Sequence, residues 1–500
     1  MEKICGYGGI GRRARFRIWC PRRAGSSPVI RIKRAGAAVL AVPAFCQYQF
    51  LVILKTIIVF RRKVGIFMKS LGIDIGTSTI SAAVIDAPTN EVITARTVSN
   101  DSFIRTDNTW EKIQDPGRIW KKVISLADRL LDEYGDIETI GLTGQMHGIV
   151  YVDRAGECLG PLYTWQDERG DLPCFDGRSI CDILREEYGI RAYPGYGLVT
   201  HLYNKKTGQV PGDAATFCTI MDQIGMKMTG RKEPLIHSSN AASFGMFDVK
   251  ERKFRTEILR ETGTEEALLP QVTDEFGVLG RYRGRKVCVA IGDNQASFLG
   301  AVEDTEHAVL LNMGTGGQVS VSSDMFFEGE GIEARPFLPG KYLLVGASLC
   351  GGRSYAVLEN FFRSYAEAAG MRSVDHYAVM ERILDKSESQ NGLKVSTVFS
   401  GTREEPWKRG EIRDISVENF TPENLIRGFL DGMTEELYSM YKQIEGCLSA
   451  GERTLVLSGN GFRKNRHLRK AAEETFGMKA VLAECCEEAA CGAAKTGKVI

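Results

Sequence analysis

The stretch LGIDIGTSTISAAVID occupies Leu71–Asp86, and a second stretch, VLLNMGTGGQVSVS, occupies Val309–Ser322. Each contains an apolar segment, one polar residue, a Gly-Thr turn and a second apolar segment, a pattern that predicts a β-hairpin. The two stretches align without a gap, in the pairs Asp74–Asn312, Gly76–Gly314 and Thr77–Thr315. Either hairpin alone could be an ordinary strand–turn–strand unit. Two copies in the same register indicate a chain built from two similar α/β halves.

Both turns have the composition of an anion-binding loop. Glycine lets the backbone approach a ligand closely, while Thr and Ser hydroxyls and turn N–H groups can bind a phosphate. The predicted phosphate-binding residues are therefore Gly76, Thr77, Ser78, Gly314, Thr315 and Gly316. The residue before the turn is a carboxylate, Asp74, in one copy and an amide, Asn312, in the other. A carboxylate beside a phosphate is repelled unless a cation lies between them, so Asp74 is predicted to be a Mg²⁺ ligand.

A third segment, Val287–Ala301, reads VCVAIGDNQASFLGA and predicts a strand that leads into a helix. Asp293 lies at the junction, where it could simply be a helix N-cap. In a phosphoryl transfer, an ionised Asp at such a position can accept the proton of the attacking hydroxyl. Asp293 is therefore predicted to be the catalytic base, and is also a candidate substrate and metal ligand.

Polar and aromatic residues that could bind a polyol follow a fourth segment. Gly141–Val150 (GLTGQMHGIV) predicts a strand that runs into a polar turn, and Tyr163–Arg169 reads YTWQDER. Polyols are bound by pairs of hydrogen-bonding groups and an aromatic face. The candidate sugar ligands are Gln145, Met146, His147, Trp165, Gln166 and Asp167. Taken singly, His147 is more often a structural histidine, and Trp165 more often a core residue.

Near the carboxyl end, Thr454–Lys470 reads TLVLSGNGFRKNRHLRK, an apolar strand, a Gly-rich turn and a basic segment that could form a helix. A nucleic-acid site is disfavoured, because the segment lacks interleaved aromatic residues and the chain after residue 67 is acidic overall. A solvated helical face remains the alternative. Leu425–Ile444 has helical apolar spacing and predicts an amphipathic core helix.

The ordered set of DIGTS, GDNQAS, the second Gly-Thr hairpin and SGN resembles the sugar kinases of the FGGY family. The resemblance implies an α/β fold of two duplicated ribonuclease-H-like domains, as in actin and hexokinase, around a central cleft. It implies an N-terminal domain at residues 68–304 for the sugar and phosphates, and a C-terminal domain at residues 305–500 for adenosine. ATP and Mg²⁺ are the expected cofactors. Gly459, Asn460 and Asn465 match the family's adenosine loop, and Glu487–Ala494 its final small-residue helix, which is expected to pack beside the nucleotide.

The same resemblance implies a substrate class. Gln145–Gly148 (QMHG) matches the ketose-kinase branch, whereas glycerol kinases carry an Arg-Glu pair at the position of Met146-His147, which argues against glycerol. TWQD, GDNQAS and Ser238–Asp248 are most similar to sedoheptulokinases. The implied function is ATP-dependent phosphorylation of a ketose. The alternatives are a xylulokinase or ribulokinase-type enzyme, or a non-kinase ATPase of the same fold.

The amino-acid composition excludes several classes of protein. With 500 residues, 43% hydrophobic and 25% charged, the chain is neither collagen-like nor disordered, nor is it a disulfide scaffold. Residues 1–67 contain 14 Lys and Arg but one acidic residue, whereas the remainder has 50 basic and 62 acidic residues. Such asymmetry is typical of a basic tail, a targeting segment or a wrong start codon. We expect an artefactual or disordered extension before Met68; an anchor or tail is the alternative.

The spacing of the cysteines and the lack of a recognisable targeting pattern predict a cytoplasmic location. Ten of the 13 cysteines follow Met68 at irregular spacing without a CxxC pair, which predicts free thiols in a reducing compartment. The chain is therefore expected to be cytoplasmic and to bind no nucleic acid. No membrane contact is expected unless residues 1–67 are real, and a homodimer is possible.

Overall fold

The computed structural model describes residues 68–371, 373–386 and 392–498. The predicted extension at residues 1–67 lies outside these ranges. Within them, no helix combines the length and the apolar character needed to cross a membrane.

Twenty-two strands are described, and several are only two or three residues long. Their bounds are β1 Lys69–Ile75, β2 Thr79–Asp86, β3 Val92–Ser99, β4 Ile113–Gln114, β5 Ile137–Gly144, β6 Ile149–Val152, β7 Cys158–Tyr163, β8 Thr216–Cys218, β9 Leu235–His237, β10 Phe247–Asp248, β11 Lys253–Phe254, β12 Gln271–Thr273, β13 Val278–Tyr282, β14 Arg285–Cys288, β15 Ala308–Met313, β16 Gly317–Ser323, β17 Ile332–Pro336, β18 Tyr342–Ser348, β19 Lys394–Ser396, β20 Glu411–Arg413, β21 Thr454–Ser458 and β22 Ala480–Leu482.

Thirteen α-helices are described as well, together with three short 3₁₀ turns. The helices are α1 Pro116–Glu133, α2 Ile180–Tyr188, α3 Gly197–Lys206, α4 Ile220–Thr229, α5 Ser238–Ser243, α6 Thr256–Glu261, α7 Asp293–Ala301, α8 Gly351–Ala368, α9 His376–Asp385, α10 Pro422–Ile444, α11 Gly459–Lys464, α12 Arg466–Phe476 and α13 Glu488–Thr496.

Two six-stranded sheets share an arrangement of five strands, in which β3-β2-β1-β5-β14 corresponds to β18-β16-β15-β21-β22. The first sheet has the order β13-β14-β5-β1-β2-β3, and the second has the order β17-β18-β16-β15-β21-β22. In each, an antiparallel hairpin (β1–β2 or β15–β16) is extended through its first strand by a parallel partner (β5 or β21). The equivalence of the two hairpins confirms the duplicated α/β fold that the sequence repeat predicted.

The first sheet is covered by helices on both faces. On one face, the apolar stripe of α1 packs in the same core as β1 and β5. On the other face lies α13, which contacts β1, β2 and β5. Strands that are covered on both sides read as nearly continuous apolar runs. This explains why β2 is buried from Ile80 to Ile85 without alternation.

Helix α10 is the central helix of the second sheet's core. Its periodic apolar residues are buried, namely Leu425, Ile426, Phe429, Leu430, Met433, Leu437 and Met440. The same cluster contains residues of β15, β16 and β21. The prediction of an amphipathic core helix is therefore confirmed.

The last helix, α13, lies against the first sheet and α7, although it follows the second sheet in the chain. A Cβ atom at Gly72 of β1 would overlap the carbonyl oxygen of Ala490, and one at Gly141 of β5 would overlap that of Ala493. Small residues thus allow the α13 backbone to touch the sheet. The expectation that this helix packs beside the nucleotide stays a prediction.

The expectation of free thiols is wrong for one pair. Cys485 and Cys491 are joined by a disulfide, with an S–S distance of 2.18 Å. The turn into α13 brings the two residues together on the surface of the first sheet. The other eight cysteines of the described ranges are free.

A buried histidine predicts a measurable pH effect on stability. Burial lowers the pKa of His201 from 6.5 to about 4. The unfolded chain therefore takes up a proton below pH 6.5 that the folded chain resists, so His201 destabilises the fold as the pH falls from 6.5 to 4. In urea titrations, His201→Phe should gain stability relative to the wild type by about 1.4 kcal/mol per pH unit across this range. A stability difference that does not change with pH would contradict the assignment.

Candidate functional site

The turn of the first hairpin is joined by hydrogen bonds to the predicted sugar ligands. The indole Nε1 of Trp165 donates to the hydroxyl of Thr77 at 2.9 Å, and that hydroxyl lies 3.4 Å from Oε1 of Gln145. Nε2 of Gln145 donates to Oε1 of Gln114 at 2.9 Å, and Nε2 of Gln114 donates to the carbonyl oxygen of Thr77, also at 2.9 Å. The phosphate turn and the QMHG and TWQD segments therefore form one network.

A buried asparagine holds the same turn from behind. The side-chain amide of Asn100 donates to the carbonyl oxygen of Gly76 at 2.8 Å, and its backbone N–H donates to that of Ser78 at 2.7 Å. Neither Asn100 nor Gln114 is predicted by the sequence analysis, because both lie in segments without a recognisable motif. Ser78 itself is exposed beside this support.

Three carboxylates lie close enough to affect one another at the end of β1. The pKa of Asp74 is raised from 3.8 to about 7, first by burial and then by the negative charges of Asp293 and Glu487. The hydroxyl of Thr143, at the end of the adjacent strand β5, donates to the carbonyl oxygen of Ile291 at 2.8 Å. This bond attaches the segment leading into α7 to the first sheet. Asp293 and Glu487 are therefore near enough to Asp74 for their charges to act on it, and Glu487 lies in no motif that predicted a place beside Asp74.

Asp293 is the first residue of α7, and Gly292 is the helix N-cap. The alternative reading of Asp293 as a simple N-cap is therefore wrong. Its carboxylate accepts a hydrogen bond from the side-chain amide of Asn294 at 2.7 Å. Burial raises the pKa of Asp293, and the positive charge of Arg335 partly opposes the rise. The carboxylate is thus held in a partly desolvated position at a helix N-terminus.

His147 is held in a rare backbone conformation, with φ at +71°. Its N–H donates to the hydroxyl of Ser243 at 3.0 Å, its ring Nδ1 lies 2.8 Å from the carbonyl oxygen of Ser243, and its ring stacks on Tyr196 at 4.7 Å. Burial lowers the pKa of His147 to about 4, so the ring is neutral near pH 7. These contacts on both the backbone and the ring fix the imidazole in one orientation.

Met146 and Gln166 flank these ligands differently. Met146 is buried, and its Sδ lies 2.7 Å from the position that a Cβ atom on Gly292 would occupy. It therefore packs under the start of α7. Gln166 and the 47%-exposed Trp165 are accessible at the surface of the site.

Asp167 is completely buried in an ion pair with Arg169. One carboxylate oxygen accepts from Nε of Arg169 at 2.6 Å, and the other accepts from the N–H of Lys112 at 3.0 Å. The guanidinium of Arg169 lies 4.3 Å from the ring centre of Tyr163. Asp167 thus supports the segment that carries Trp165 and Gln166, and both its oxygens already have partners.

The turn of the second hairpin is exposed and meets the start of α8. The N–H of Gly352 donates to the carbonyl oxygen of Gly314 at 3.0 Å, and that of Arg353 donates to the carbonyl oxygen of Thr315 at 3.1 Å. A Cβ atom on Gly351 would overlap the backbone of Gly316. The glycine pair at the helix start allows this close contact, which holds the turn in place.

The predicted adenosine loop adjoins the second hairpin. Gly459 has φ at +86°, and a Cβ atom there would lie 2.6 Å from the carbonyl oxygen of Met313. Asn460 is exposed. Asn465 caps α12 by accepting from the N–H of Leu468 at 3.0 Å, and its side chain lies near that of Tyr355. Tyr355, on α8, is a further candidate for this subsite.

Consecutive residues at the start of α13 connect the two hairpins. Glu487 lies beside Asp74 of the first hairpin. Glu488 accepts from the hydroxyl of Ser458 at 2.8 Å, and Ser458 in turn accepts from the amide of Asn312 at 2.8 Å. Neighbouring residues at the start of α13 therefore adjoin both Asp74 of the first hairpin and, through Ser458, Asn312 of the second hairpin.

Comparison with known proteins identifies relatives of the whole described region. Residues 69–310 match the model of the N-terminal domain of the FGGY family of carbohydrate kinases. The chain is 25% identical to sedoheptulokinase of Mus musculus over 452 residues, covering 81% of this chain and 92% of the relative, and 22% identical to gluconokinase of Bacillus subtilis, with coverages of 85% and 86%. The structure of xylulose kinase from Rhodospirillum rubrum superposes with a TM-score of 0.73 at 20% identity, covering 86% of this chain and 89% of that one. The fold is thus that of this two-domain kinase group.

Proposed function

The chain belongs to the FGGY family of carbohydrate kinases and is therefore an ATP-dependent sugar phosphotransferase, and from this premise we propose that its acceptor is a ketose, in a sedoheptulokinase-like reaction. The observation that carries the proposal is the hydrogen-bond network that joins Thr77 to Gln145 and Trp165. It brings the phosphate turn next to the QMHG and TWQD segments. The similarity to sedoheptulokinases over most of the chain supports the same substrate class. Because the chain is a carbohydrate kinase, we drop the alternative of a non-kinase ATPase of the same fold.

In this reaction, Asp293 is the general base. The sugar hydroxyl donates its proton to this carboxylate while its oxygen forms a bond to the γ-phosphorus of ATP. The bond from that phosphorus to the β,γ-bridging oxygen breaks, and ADP leaves. The neutral His147 is held with its Nε2 available as one hydrogen-bonding partner of the sugar, and Gln145 and Gln166 supply others. Trp165 offers an aromatic face to the C–H side. Met146 and Asp167 act as positioning residues. Met146 packs under Gly292, and the carboxylate of Asp167 is already bound in the ion pair with Arg169.

The phosphate groups of ATP are proposed to bind between the two turns, through Gly76, Thr77, Ser78, Gly314, Thr315 and Gly316. Adenosine is proposed to bind at Gly459, Asn460 and Asn465, where the glycine admits a flat base against the backbone. We further propose the domain division 68–304 and 305–500, with α13 of the second segment returning to the first sheet.

Mg²⁺ fits the carboxylates at the end of β1. Burial and the neighbouring charges of Asp293 and Glu487 raise the pKa of Asp74, so a cation at this position would relieve real repulsion. The described residues contain no group of three or more side chains arranged to hold a metal by themselves. Mg²⁺ typically uses only one or two carboxylates and takes its other ligands from phosphates and water. Asp74 and Asp293 are the proposed ligands, and the ion would neutralise charge on the transferring phosphoryl group.

Asp74→Asn should weaken the Mg²⁺ dependence of ATP binding. The amide keeps the shape of the side chain but removes the negative charge that attracts the cation. We expect the Mg²⁺ concentration required for half-maximal activity to rise by about tenfold, the size of one modest electrostatic contact. Asn312→Asp, which places a carboxylate at the matched position of the second hairpin, is an informative companion variant. An unchanged Mg²⁺ titration for Asp74→Asn would exclude the role.

The proposed function is tested by a coupled ADP-release assay over a panel of sugars. Sedoheptulose, xylulose, ribulose, gluconate and glycerol are compared at fixed ATP and Mg²⁺. The proposal expects kcat/KM to be highest for a ketose, with sedoheptulose first. Xylulose is the main alternative, because the superposed R. rubrum structure is a xylulose kinase. Preference for gluconate or glycerol would overturn the ketose assignment but not the kinase class.

Two further expectations accompany the proposal. A cytoplasmic location remains a prediction. A homodimer is also proposed, and helix α8 supports it by exposing an apolar stripe of Val357, Phe361 and Tyr365. Light scattering coupled to size-exclusion chromatography would measure the assembly directly.

A further inference from the structure

Strand β17, at the edge of the second sheet, brings two charged residues towards the first sheet. The strand alternates buried positions with the partly exposed Glu333 and Arg335. Because side chains alternate across a strand, these two residues share a face. Helix α5, which ends at Ser243, packs against β17. Ser243 is the residue that holds His147.

A buried hydrogen bond fixes the end of this strand to the catalytic helix. Nε2 of Gln295, in the first turn of α7, donates to the carbonyl oxygen of Pro336 at 2.7 Å. Pro336 follows Arg335 directly, and α7 begins at Asp293. The bond therefore keeps Arg335 in register beside the start of α7.

The positive charge of Arg335 affects the pKa of three groups of the proposed sugar site. Burial raises the pKa of Asp293 and of Tyr196, and the positive charge of Arg335 partly opposes both rises. Burial lowers the pKa of His147, and the charge of Arg335 adds to that decrease. These groups come from different elements of the first half of the chain. A position near all of them puts Arg335 at the sugar site, which it reaches from the second sheet.

The guanidinium of Arg335 has more N–H donors than it has hydrogen bonds to the described residues. Arginine carries five N–H donors. Nη2 donates to Oε2 of Glu333 at 2.9 Å, and the other oxygen of Glu333 accepts from Arg403. Among the residues that the structure describes, no second acceptor bonds to Arg335. Its side chain is 22% exposed, so the guanidinium is largely withdrawn from solvent.

We propose that Arg335 is a substrate-binding residue that donates hydrogen bonds to an acceptor oxygen of the ketose, close to the hydroxyl that faces Asp293. The inference rests on the proposed function and deepens it. Asp293 accepts a hydrogen bond from one oxygen of the sugar, while Arg335 donates to another. The site thus requires two nearby oxygens with opposite roles, either two hydroxyls or a hydroxyl and a carbonyl. A polyhydroxylated ketose meets this requirement.

A plain alternative is that Arg403, Glu333 and Arg335 form a charged ladder that only protects the edge of the second sheet. In that case, both arginines act through Glu333, and removing the charge of Glu333 should have the same effect as removing Arg335. The proposal expects the opposite, because the sugar contact needs the guanidinium and not its partner.

The experiment uses the full chain and the sugar with the highest kcat/KM in the panel described above. Arg335→Met should raise the KM for the sugar by about 10- to 100-fold, the range for losing a hydrogen bond to a charged group. The KM for ATP should change less than about twofold, and the melting temperature should be retained. Arg335→Lys, which keeps a charged donor, should recover part of the loss. Glu333→Gln, the matched control, should leave the sugar KM within about threefold of wild type.

Each outcome decides between the readings. An unchanged sugar KM in Arg335→Met overturns the proposal. Equal effects of Arg335→Met and Glu333→Gln on the melting temperature and on the sugar KM would assign the cluster to stability instead. If the wild type phosphorylates no ketose, the proposed function fails first and the Arg335 proposal falls with it. Activity on a ketose without any Arg335 effect refutes only the latter.

Discussion

Replacing Asp293 with alanine is expected to lower kcat by about two to four orders of magnitude, the contribution of a positioned general base. The carboxylate is the first residue of α7, where burial, the Asn294 amide and the charge of Arg335 define its surroundings. In the proposed mechanism, removing it leaves the sugar hydroxyl without a proton acceptor, while the turns proposed to bind ATP remain. Steady-state turnover in the coupled assay measures the loss.

The comparison that isolates this role is Asp293→Asn. The amide occupies the same volume and still carries one acceptor oxygen, but it cannot take the proton, so kcat should fall nearly as far as in the alanine variant. The Kd for ATP in the absence of metal, measured by calorimetry, should stay close to wild type in both variants. Turnover within about tenfold of wild type would remove Asp293 from the role of base.

The second large effect is expected from Gly492→Ala, far from the reacting atoms in sequence. Gly492 lies on α13, and a Cβ atom there would overlap the carbonyl oxygen of Ala296 on α7. In the same contact, a Cβ atom on Gly300 of α7 would overlap the carbonyl oxygen of Glu488. Alanine favours an isolated helix over glycine by about 1 kcal/mol, but two backbones in contact cannot yield without separating. We expect a net destabilisation of about 2 kcal/mol or more.

Because α7 begins at Asp293, separation of α7 from α13 should also lower kcat. Urea denaturation and the coupled assay are the two measurements. Gly135→Ala is the matched control, since nothing lies within 4 Å of a Cβ atom at that position. It should leave both stability and turnover near wild type. Equal stability of the two variants would show that α7 and α13 do not depend on this contact.

The duplicated fold was predictable because its signal is local and occurs twice. Each hairpin is specified by a short apolar–turn–apolar pattern, and the matched register of Asp74 with Asn312 adds information that neither copy has alone. The core helix α10 was equally predictable, since its apolar residues recur at the helical period and are buried at those positions. Such patterns show which side of a helix or strand is buried. They can be read from the sequence because the residues that form them are close together in the chain.

Several residues of the site carry no such signal. Asn100 and Gln114 support the first turn only because their segments fold back beneath it. Glu487 reaches Asp74 because α13 returns to the first sheet after the second sheet is complete. Asp167 looked like a sugar ligand in the sequence, whereas in the fold its oxygens are engaged by Arg169 and Lys112. The partner of Asn100 lies 24 residues away and that of Gln114 lies 37 residues away. Lys112 is 55 residues from Asp167, and Glu487 and Asp74 are much farther apart in the chain.

The sequence by itself determined the duplicated architecture, the two Gly-Thr turns and the position of Asp293 at the start of a helix, because hydrophobic periodicity and glycine turns act over a few neighbouring residues. Only the tertiary structure decided which charges meet. The Gln295–Pro336 bond attaches the strand that carries Arg335 to the helix that begins at Asp293. Glu487 lies near Asp74, and Glu488 binds Ser458, so the start of α13 adjoins both hairpins. Electrostatic and hydrogen-bonding contacts depend on distance in space, and the distances between these groups are set by the packing of the two sheets.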